Sequence, residues 1–315
     1  MSERLRVFAP ASTANLGPGF DVLGLALERP GDVVEAERAE TVGVQIVEVT
    51  GAPSLSTDPT LNTAGVAASA VLHRIDPAES VGVRLWVHKQ MPLASGLGGS
   101  AASSVAAAVA VNELCRGGLS RQALVECALE GEQAASGSAH ADNVAPSLLG
   151  GIVLIRSCTP LDLVSLPVPA ALRIVVIHPH TQVQTAMARG RVTERRFQIS
   201  QAVANLGNIA ALVSALHSGD LNLLGRSIHD ALVEPIRAQL IPGFAAVKDA
   251  ALTAGGLGCS ISGSGPSVFA LADSDSGASH VADAMQVTFR EFGLESGRYV
   301  GPVNATGARV LPSSG

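Results

Sequence analysis

Residues 91–112, MPLASGLGGSAASSVAAAVAVN, join a loop of small residues to an alanine-rich helix, and this junction constrains the chain more than any other stretch. Gly96, Gly98 and Gly99 lack a Cβ, so the backbone there can turn sharply and approach a ligand closely. The helix opens near Gly99, directing unpaired N–H groups and the positive end of its dipole into the loop. Ser95 and Ser100 add hydroxyls, and Lys89, one of only two lysines in the chain, stands just before. A helix start of this kind suits an anion, most often phosphate. Behind it, residues 100–115 are apolar almost all round, which demands burial.

Three kinds of site compete for this loop. The plainest is a tight turn feeding a buried helix. Gly96, Gly98 and Ala101 satisfy G-x-G-x-x-A, but a dinucleotide site needs a strand after the helix, closed by an acidic residue. Here residues 121–130 form a second helical pattern instead, and the loop lies far from the N-terminus. A Walker loop is excluded because Gly-Lys-Ser/Thr occurs nowhere. What remains is a phosphate loop of another type. Pro92, Leu93, Ala94, Ser95, Leu97 and Ala102 complete its pattern, P-x-x-x-G-L-G-G-S-A-A.

A chain of 315 residues suggests two domains of ordinary size, and the proline density of 160–169 marks the connection. With 47% hydrophobic and 3% aromatic residues, the interior must be built from Ala, Val, Leu and Ile. A net charge of −6 argues against nonspecific binding to nucleic acid or to an anionic membrane. The four cysteines show no C-x-x-C pairing and sit in apolar runs, as small buried hydrophobes do. The N-terminus has no long apolar region and no stretch approaches a membrane-spanning length, so a reducing cytoplasm is the expected location. Strand patterns at 5–9, 22–27, 33–37, 42–49, 81–87, 151–156, 173–178, 259–261, 267–272 and 298–303 interleave with helical patterns. The helices fall at 121–130, 183–190, 198–217, 221–232, 243–254 and 278–292, besides one from Asn62 to His73 and the long one at 100–115. Residues 131–140 read as irregular. The class is α+β.

The 92–102 loop resembles the second motif of the GHMP kinases, small-molecule kinases named for galactose, homoserine, mevalonate and phosphomevalonate. Residues 9–27, APASTANLGPGFDVLGLAL, look like the first motif of the homoserine kinase branch, and 140–151, HADNVAPSLLGG, are similar to that branch as well. Residues 258–271, GCSISGSGPSVFAL, resemble the glycine-rich third motif. TAMAR at 185–189 and EPIRAQLIPGF at 234–244 carry the likeness in order over nearly the whole chain. The resemblance implies a ribosomal protein S5 domain 2-like N-terminal domain (1–165) and a ferredoxin-like C-terminal domain (166–315). It also implies transfer of the ATP γ-phosphoryl group to the side-chain hydroxyl of L-homoserine, a step toward threonine, by a homodimer.

The resemblance also implies a role for each residue that matches a motif position, as follows. The 92–102 loop cradles the phosphates, Lys89 flanks it, and Asn62 helps to hold the adenine. Magnesium prefers oxygen ligands and retains waters, so one carboxylate and one hydroxyl suffice beside the phosphates. Glu132, by its offset from HADN, and Ser100 match that pair, and Ser100 equally suits an ordinary helix cap. Arg189 and Arg237 match the family's carboxylate-binding arginines, whose planar forks make paired charge-assisted bonds. Asp21 pairs with the ammonium. Asn15, His140 and Gly263 line the same pocket, and Thr185 assists beside the arginines. Asn143 bonds the acceptor hydroxyl and aims it at phosphorus. Phosphoryl transfer passes through a loose transition state, so positioning and charge neutralisation suffice without a dedicated base, and Asp142 ranks second as a base. The sequence departs from the pattern at Gly99, where serine is frequent, and after Arg189, where Gly-Arg-Val replaces a usual Leu-Pro. A GHMP kinase for another small alcohol, or a noncatalytic binding protein on the same scaffold, are the alternatives.

Overall fold

The computed structural model describes residues 4–136 and 140–312. The first part of the chain forms β1 (Leu5–Ala14), β2 (Leu23–Ala39), β3 (Gly43–Thr50), α1 (Thr63–Ile75) and β4 (Gly82–His88). Three helices follow, α2 (Gly99–Cys115), α3 (Arg121–Ser136) and α4 (Ala141–Leu149), and then β5 (Ile152–Cys158) and β6 (Leu161–Leu166). These strands build one sheet in the order β1-β2-β4-β3, with β5 on the early part of β2 and β6 beyond it. The patterns at 22–27 and 33–37 belong to the single long strand β2, whose first residues pair with β5 and whose last pair with β4. A register shift in β1 between Pro10 and Ser12 bends the pair, as bulges do.

Helix α2 is the axis of this half. Residues 101–112 are buried on every side, as the lack of a polar face demanded. Its alanines and serines are small enough for α1, α3 and α4 to pack around it while β1 and β2 cover the remaining side. Close approach explains Gly131 in the middle of α3: a Cβ there would lie 2.5 Å from the Thr63 carbonyl oxygen and 2.7 Å from Ser104 Oγ. The expected irregular stretch 131–140 is thus helical as far as Ser136, while 137–139 lie outside the described residues. Residues 141–149, where no element was expected, form α4, with His140 as its N-cap.

The second part comprises β7 (Arg173–Pro179), α5 (Thr185–Thr193), α6 (Ile199–Ser218), α7 (Leu221–Ser227), α8 (Glu234–Arg237), α9 (Phe244–Thr253), β8 (Gly258–Ile261), β9 (Val268–Ala272), α10 (Asp275–Glu291) and β10 (Ser296–Pro302). Its sheet runs β10-β7-β9-β8, all antiparallel. Numbered within the sheet this is 4-1-3-2, with helices after the first and third strands: the split β-α-β arrangement of ferredoxin-like folds. The apolar run in β7 shows why: Ile174 and Val176 enter the larger core shared with α2, and Val175 and Ile177 enter a smaller core with Met285 and Phe289. Period-two alternation with both faces buried yields an unbroken hydrophobic strand. A final strand, β11 (Arg309–Leu311), returns to the first sheet and pairs with β1.

The expected helix at 221–232 stops at Ser227 because Asp230 captures the backbone N–H groups of Leu232, Val233 and Glu234. Residues 161–166, expected as a connection, form β6 against β5. Among the described residues α6 has the length and apolarity of a membrane span, with 20 residues and mean hydropathy 1.4, contrary to the sequence expectation. Here Asn205 and Asn208 tie it to Asp230 and to the His229 carbonyl.

Beneath the junction of β4 and α2, Lys89 forms an ion pair with Asp32, the two side chains being 3% and 0% exposed. Asp32 also accepts from Ser103 Oγ (2.7 Å) and from the Gln90 amide (3.0 Å). Removing one partner leaves a buried charge uncompensated. Lys89→Met is therefore expected to lower the unfolding free energy by about 3–5 kcal/mol, read from urea denaturation. A loss below about 1 kcal/mol would show that the pair contributes no more than a surface ion pair does.

Candidate active site

Between the two sheets the 92–100 loop is held by its carbonyl groups. The Ala94 oxygen accepts from the Val183 amide (3.3 Å), and that of Ser95 accepts from Ser267 Oγ (2.6 Å) and Ser267 N (3.2 Å). Gly96 O accepts from Ser262 Oγ at 2.8 Å, Leu97 O from Ser12 N at 3.0 Å, and Gly98 O from Ala102 N at 2.9 Å. Lys89 Nζ closes the series by donating to Gly99 O at 2.6 Å and to Ser103 Oγ at 2.9 Å. With every carbonyl from 94 to 99 occupied, the loop's N–H groups are the polar atoms left to face a ligand.

Backbone conformation agrees. Ala94, Gly96 and Gly98 have φ of +52°, +77° and +67°, and this alternation of left-handed residues makes an anion-binding concavity. Helix α2 begins at Gly99 with Gly98 as N-cap, no capping side chain and no acid in its first turn. Its end is therefore open to an anion. Ser100 is not the cap that its sequence position also allowed; its hydroxyl instead bonds Glu132. Glu132 is buried on α3, and burial raises the pKa of its carboxyl while the Ser100 bond and the Lys89 charge oppose that rise. A buried acid joined to a hydroxyl at the edge of a phosphate cradle is a donor set that suits a hard divalent cation.

One cavity of about 440 Å³ runs from this loop to the arginines. It is lined by Pro92, Leu93, Ala94, Ser95 and Gly96, then by Gly98, Gly99 and Ser100. Lys89, Asn62 and Glu132 reach it at one end, and Asn15, Asp21, His140, Asn143, Thr185, Arg189, Arg237 and Gly263 at the other. Leu97, Ala101 and Ala102 do not: their side chains are fully buried in the core, so only their backbone belongs to the loop. The Asn62 carboxamide caps α1 by accepting from Ala64 N (3.0 Å) and donates to Ser56 O (2.8 Å), which leaves one N–H for a ligand.

At the acceptor end Arg189 Nη2 pairs with Asp21 Oδ1 at 2.7 Å, and His140 Nδ1 stands 3.9 Å from Asp21 Oδ2. Asn15 Nδ2 (3.0 Å) and Arg237 Nη1 (2.7 Å) both donate to Gly263 O, and Thr185 Oγ1 lies 3.3 Å from Ser264 Oγ. Arg237 is 3% exposed, and burial together with the Arg189 charge lowers its pKa to about 10. The Nε atoms of both arginines are buried without a hydrogen-bond partner, which marks a place for an anion. Asn143 Oδ1 accepts from Ser12 Oγ at 2.8 Å while its Nδ2 donates to Asp142 Oδ1 at 3.4 Å, which leaves one amide N–H of this cavity-lining side chain for a ligand. Sequence reasoning missed Ser12, which a short strand at 5–9 left outside β1, and Phe20, whose ring meets both arginines. Burial is the first cause that pushes the Asp142 carboxyl up to about 7, and Asp21 and Glu132 add to it.

Comparison with known proteins adds to this geometry. The family model for the GHMP kinases N terminal domain matches residues 62–151, and that for the GHMP kinases C terminal matches 212–291. A homoserine kinase from Chlorobium phaeobacteroides is 44% identical, over 96% of this chain and 98% of that protein. The crystal structure of a homoserine kinase from Cytophaga hutchinsonii, 47% identical, superposes with a TM-score of 0.95 over 99% of this chain and 98% of the other. The chain belongs to the homoserine kinases of the GHMP family. Its fold is the two-domain GHMP kinase fold, and it is an ATP-dependent small-molecule kinase. An L. major mevalonate kinase, 18% identical with a TM-score of 0.73, shares the fold.

Two outcomes test the geometry of this kinase. A Cβ on Gly98 would fall 2.2 Å from Ser12 Oγ and 2.8 Å from Asn143 Oδ1, whereas one on Gly99 meets only Lys89 Nζ at 3.4 Å and Met91 Cβ at 4.0 Å. Gly98→Ala is expected to lose about a hundredfold in kcat/KM, and Gly99→Ala to stay within about twofold, in steady-state assays. The second outcome concerns pH. The Asp142 pKa rises from 3.8 to about 7 on folding, so its stabilising contribution is full below 3.8 and disappears as pH climbs through 7. Melting temperatures between pH 4.5 and 6.5 should therefore fall more steeply with pH for the native protein than for Asp142→Asn. Parallel curves would show that Asp142 titrates normally.

Proposed function

We propose that the enzyme phosphorylates the side-chain hydroxyl of L-homoserine to O-phospho-L-homoserine, a reaction of threonine biosynthesis. The observation that carries the acceptor is the pair Arg189 and Arg237, whose Nε atoms are buried without a partner beside the Asp21 carboxylate. A zwitterion satisfies all three: its carboxylate goes to the guanidiniums and its ammonium to Asp21, splitting the Arg189–Asp21 pair. Mevalonate carries no cation for Asp21, and galactose carries neither charge. The loop amides and the α2 N-terminus bind the phosphates, Lys89 holds the loop from beneath, and Asn62 borders the adenine. Glu132 and Ser100 would hold magnesium. ATP supplies the phosphoryl group, and the metal offsets charge on the phosphates. Asn143, turned by Ser12, donates an N–H to the acceptor oxygen and fixes its line of approach. Asn15, His140, Thr185 and Gly263 border the acceptor, which limits water beside the reacting hydroxyl. Positioning and fixed charge carry the reaction, and no residue need act as a dedicated base.

The same proposal includes a division of the chain between 165 and 166. The separate pairing of β1–β6 and β7–β10 supports a division near there, although Leu166, the last residue of β6, still pairs with Ile152 and β11 rejoins β1. It also includes a cytoplasmic homodimer without nucleic-acid or membrane partners, in keeping with the net charge of −6 and read from the mass in solution.

ADP release measured with homoserine, mevalonate, galactose and shikimate should show turnover with homoserine far above the rest. Arg189→Ala and Arg237→Ala should each raise the homoserine KM on the order of a hundredfold and leave that for ATP unchanged. Asp142→Asn should keep turnover within about tenfold. A loss of many thousandfold would assign Asp142 as the base and overturn the base-free reading.

A further inference from the structure

The loop between β1 and β2 carries Phe20 immediately before Asp21, and the ring of Phe20 is shared by two cations. The guanidinium carbons of Arg189 and Arg237 each lie 5.1 Å from its centroid. These arginines come from different elements, α5 and α8, and among the described residues no hydrogen bond or ion pair joins the two. Asp21 is the one acid in direct contact, and it engages Arg189 alone. Two like charges brought together in a buried site repel, which is the second cause, after burial, of the lowered Arg237 pKa. An aromatic face attracts both cations without supplying a negative charge that would compete with an incoming anion. A second carboxylate at this place would instead neutralise Arg237 and close the site to substrate.

The loop is built to hold the ring there. Asn15, Leu16 and Asp21 all have positive φ, of 74°, 45° and 62°. Asn and Asp tolerate that region, but a leucine occupies it only where its surroundings enforce it. The enforcement is visible: Asn15 Oδ1 accepts from the Asp21 amide (3.1 Å), and Asn205 on α6 donates to Pro18 O (3.4 Å).

We propose that Phe20 is a positioning residue that sets the spacing of the Arg189 and Arg237 guanidiniums, and so makes the kinase selective for an acceptor bearing a carboxylate. The inference rests on the reading of those arginines as the carboxylate clamp. Phe20→Leu removes the π face and keeps most of the bulk, and Phe20→Tyr retains the face. With the full-length enzyme, Phe20→Leu should raise the homoserine KM about tenfold while kcat and the ATP KM stay within about twofold. Phe20→Tyr should keep the homoserine KM near that of the native enzyme. If Phe20→Leu does not fold, as judged by its melting temperature, Phe20→Met takes its place in the same comparison. An unchanged homoserine KM, a parallel rise in the ATP KM, or a tyrosine variant as impaired as the leucine one would each overturn the inference. Failure of the native enzyme to phosphorylate homoserine would instead remove the proposed acceptor.

Discussion

A loop that binds phosphate through its amides must hide its carbonyls, and the structure depends on how this chain does so. The oxygens of residues 94–99 are taken by groups from β1, the β8–β9 turn, the segment before α5, α2 itself and the buried Lys89. The neutral contacts are ordinary hydrogen bonds of about 1 kcal/mol net each, and the one from the Lys89 ammonium is stronger. Together they fix the peptide planes, so that no reorganisation is required when the anion arrives. They also explain why the two sheets meet here. Ser262 and Ser267 belong to the second sheet's turn yet bond the loop of the first, and a Cβ on Gly96 would lie 2.5 Å from Ser262 O. The cradle is shared property of both halves.

Charge in the cavity follows the same economy of placement. Asp32 and Lys89 neutralise one another under the loop, which makes the only lysine near the site a fastener of backbone rather than a mobile cation. Glu132 is balanced by a hydroxyl and by that lysine's charge, whereas Asp142 is buried near Asp21 and Glu132 and resists ionisation. At the far end two arginines share one aromatic ring, while the one acid there pairs with Arg189. Positive charge is left in excess where a carboxylate is to bind, and open amides are left where phosphates are to bind.

Much of this was legible in the sequence because glycine and arginine carry their reasons with them. The loop glycines announced a backbone approached by a ligand, and the apolar α2 announced its own burial. What stayed hidden depended on contacts between distant segments. Residues 131–136 looked irregular because Gly131 weakens a helix, and only the carbonyl of Thr63 pressed against it shows why glycine is there. No element was expected at 141–149, where Pro146 cannot donate to the Asp142 carbonyl. That freed oxygen packs against Gly24, where a Cβ would come within 1.7 Å. Ser12 and Phe20 are a common serine and a common phenylalanine until Asn143 and the two arginines are brought beside them, from more than a hundred residues away.

The pairing of β11 with β1 carries a consequence for how the protein comes to exist. Arg6, Val7 and Phe8 find their partners at Leu311, Val310 and Arg309. Until those late residues have been synthesised, the strand that leads to Ser12 keeps one side of bare peptide groups, the kind of border that invites pairing with a neighbouring nascent chain. Closure of this seam therefore comes late, and a ribosome must deliver both sheets before the first is sealed.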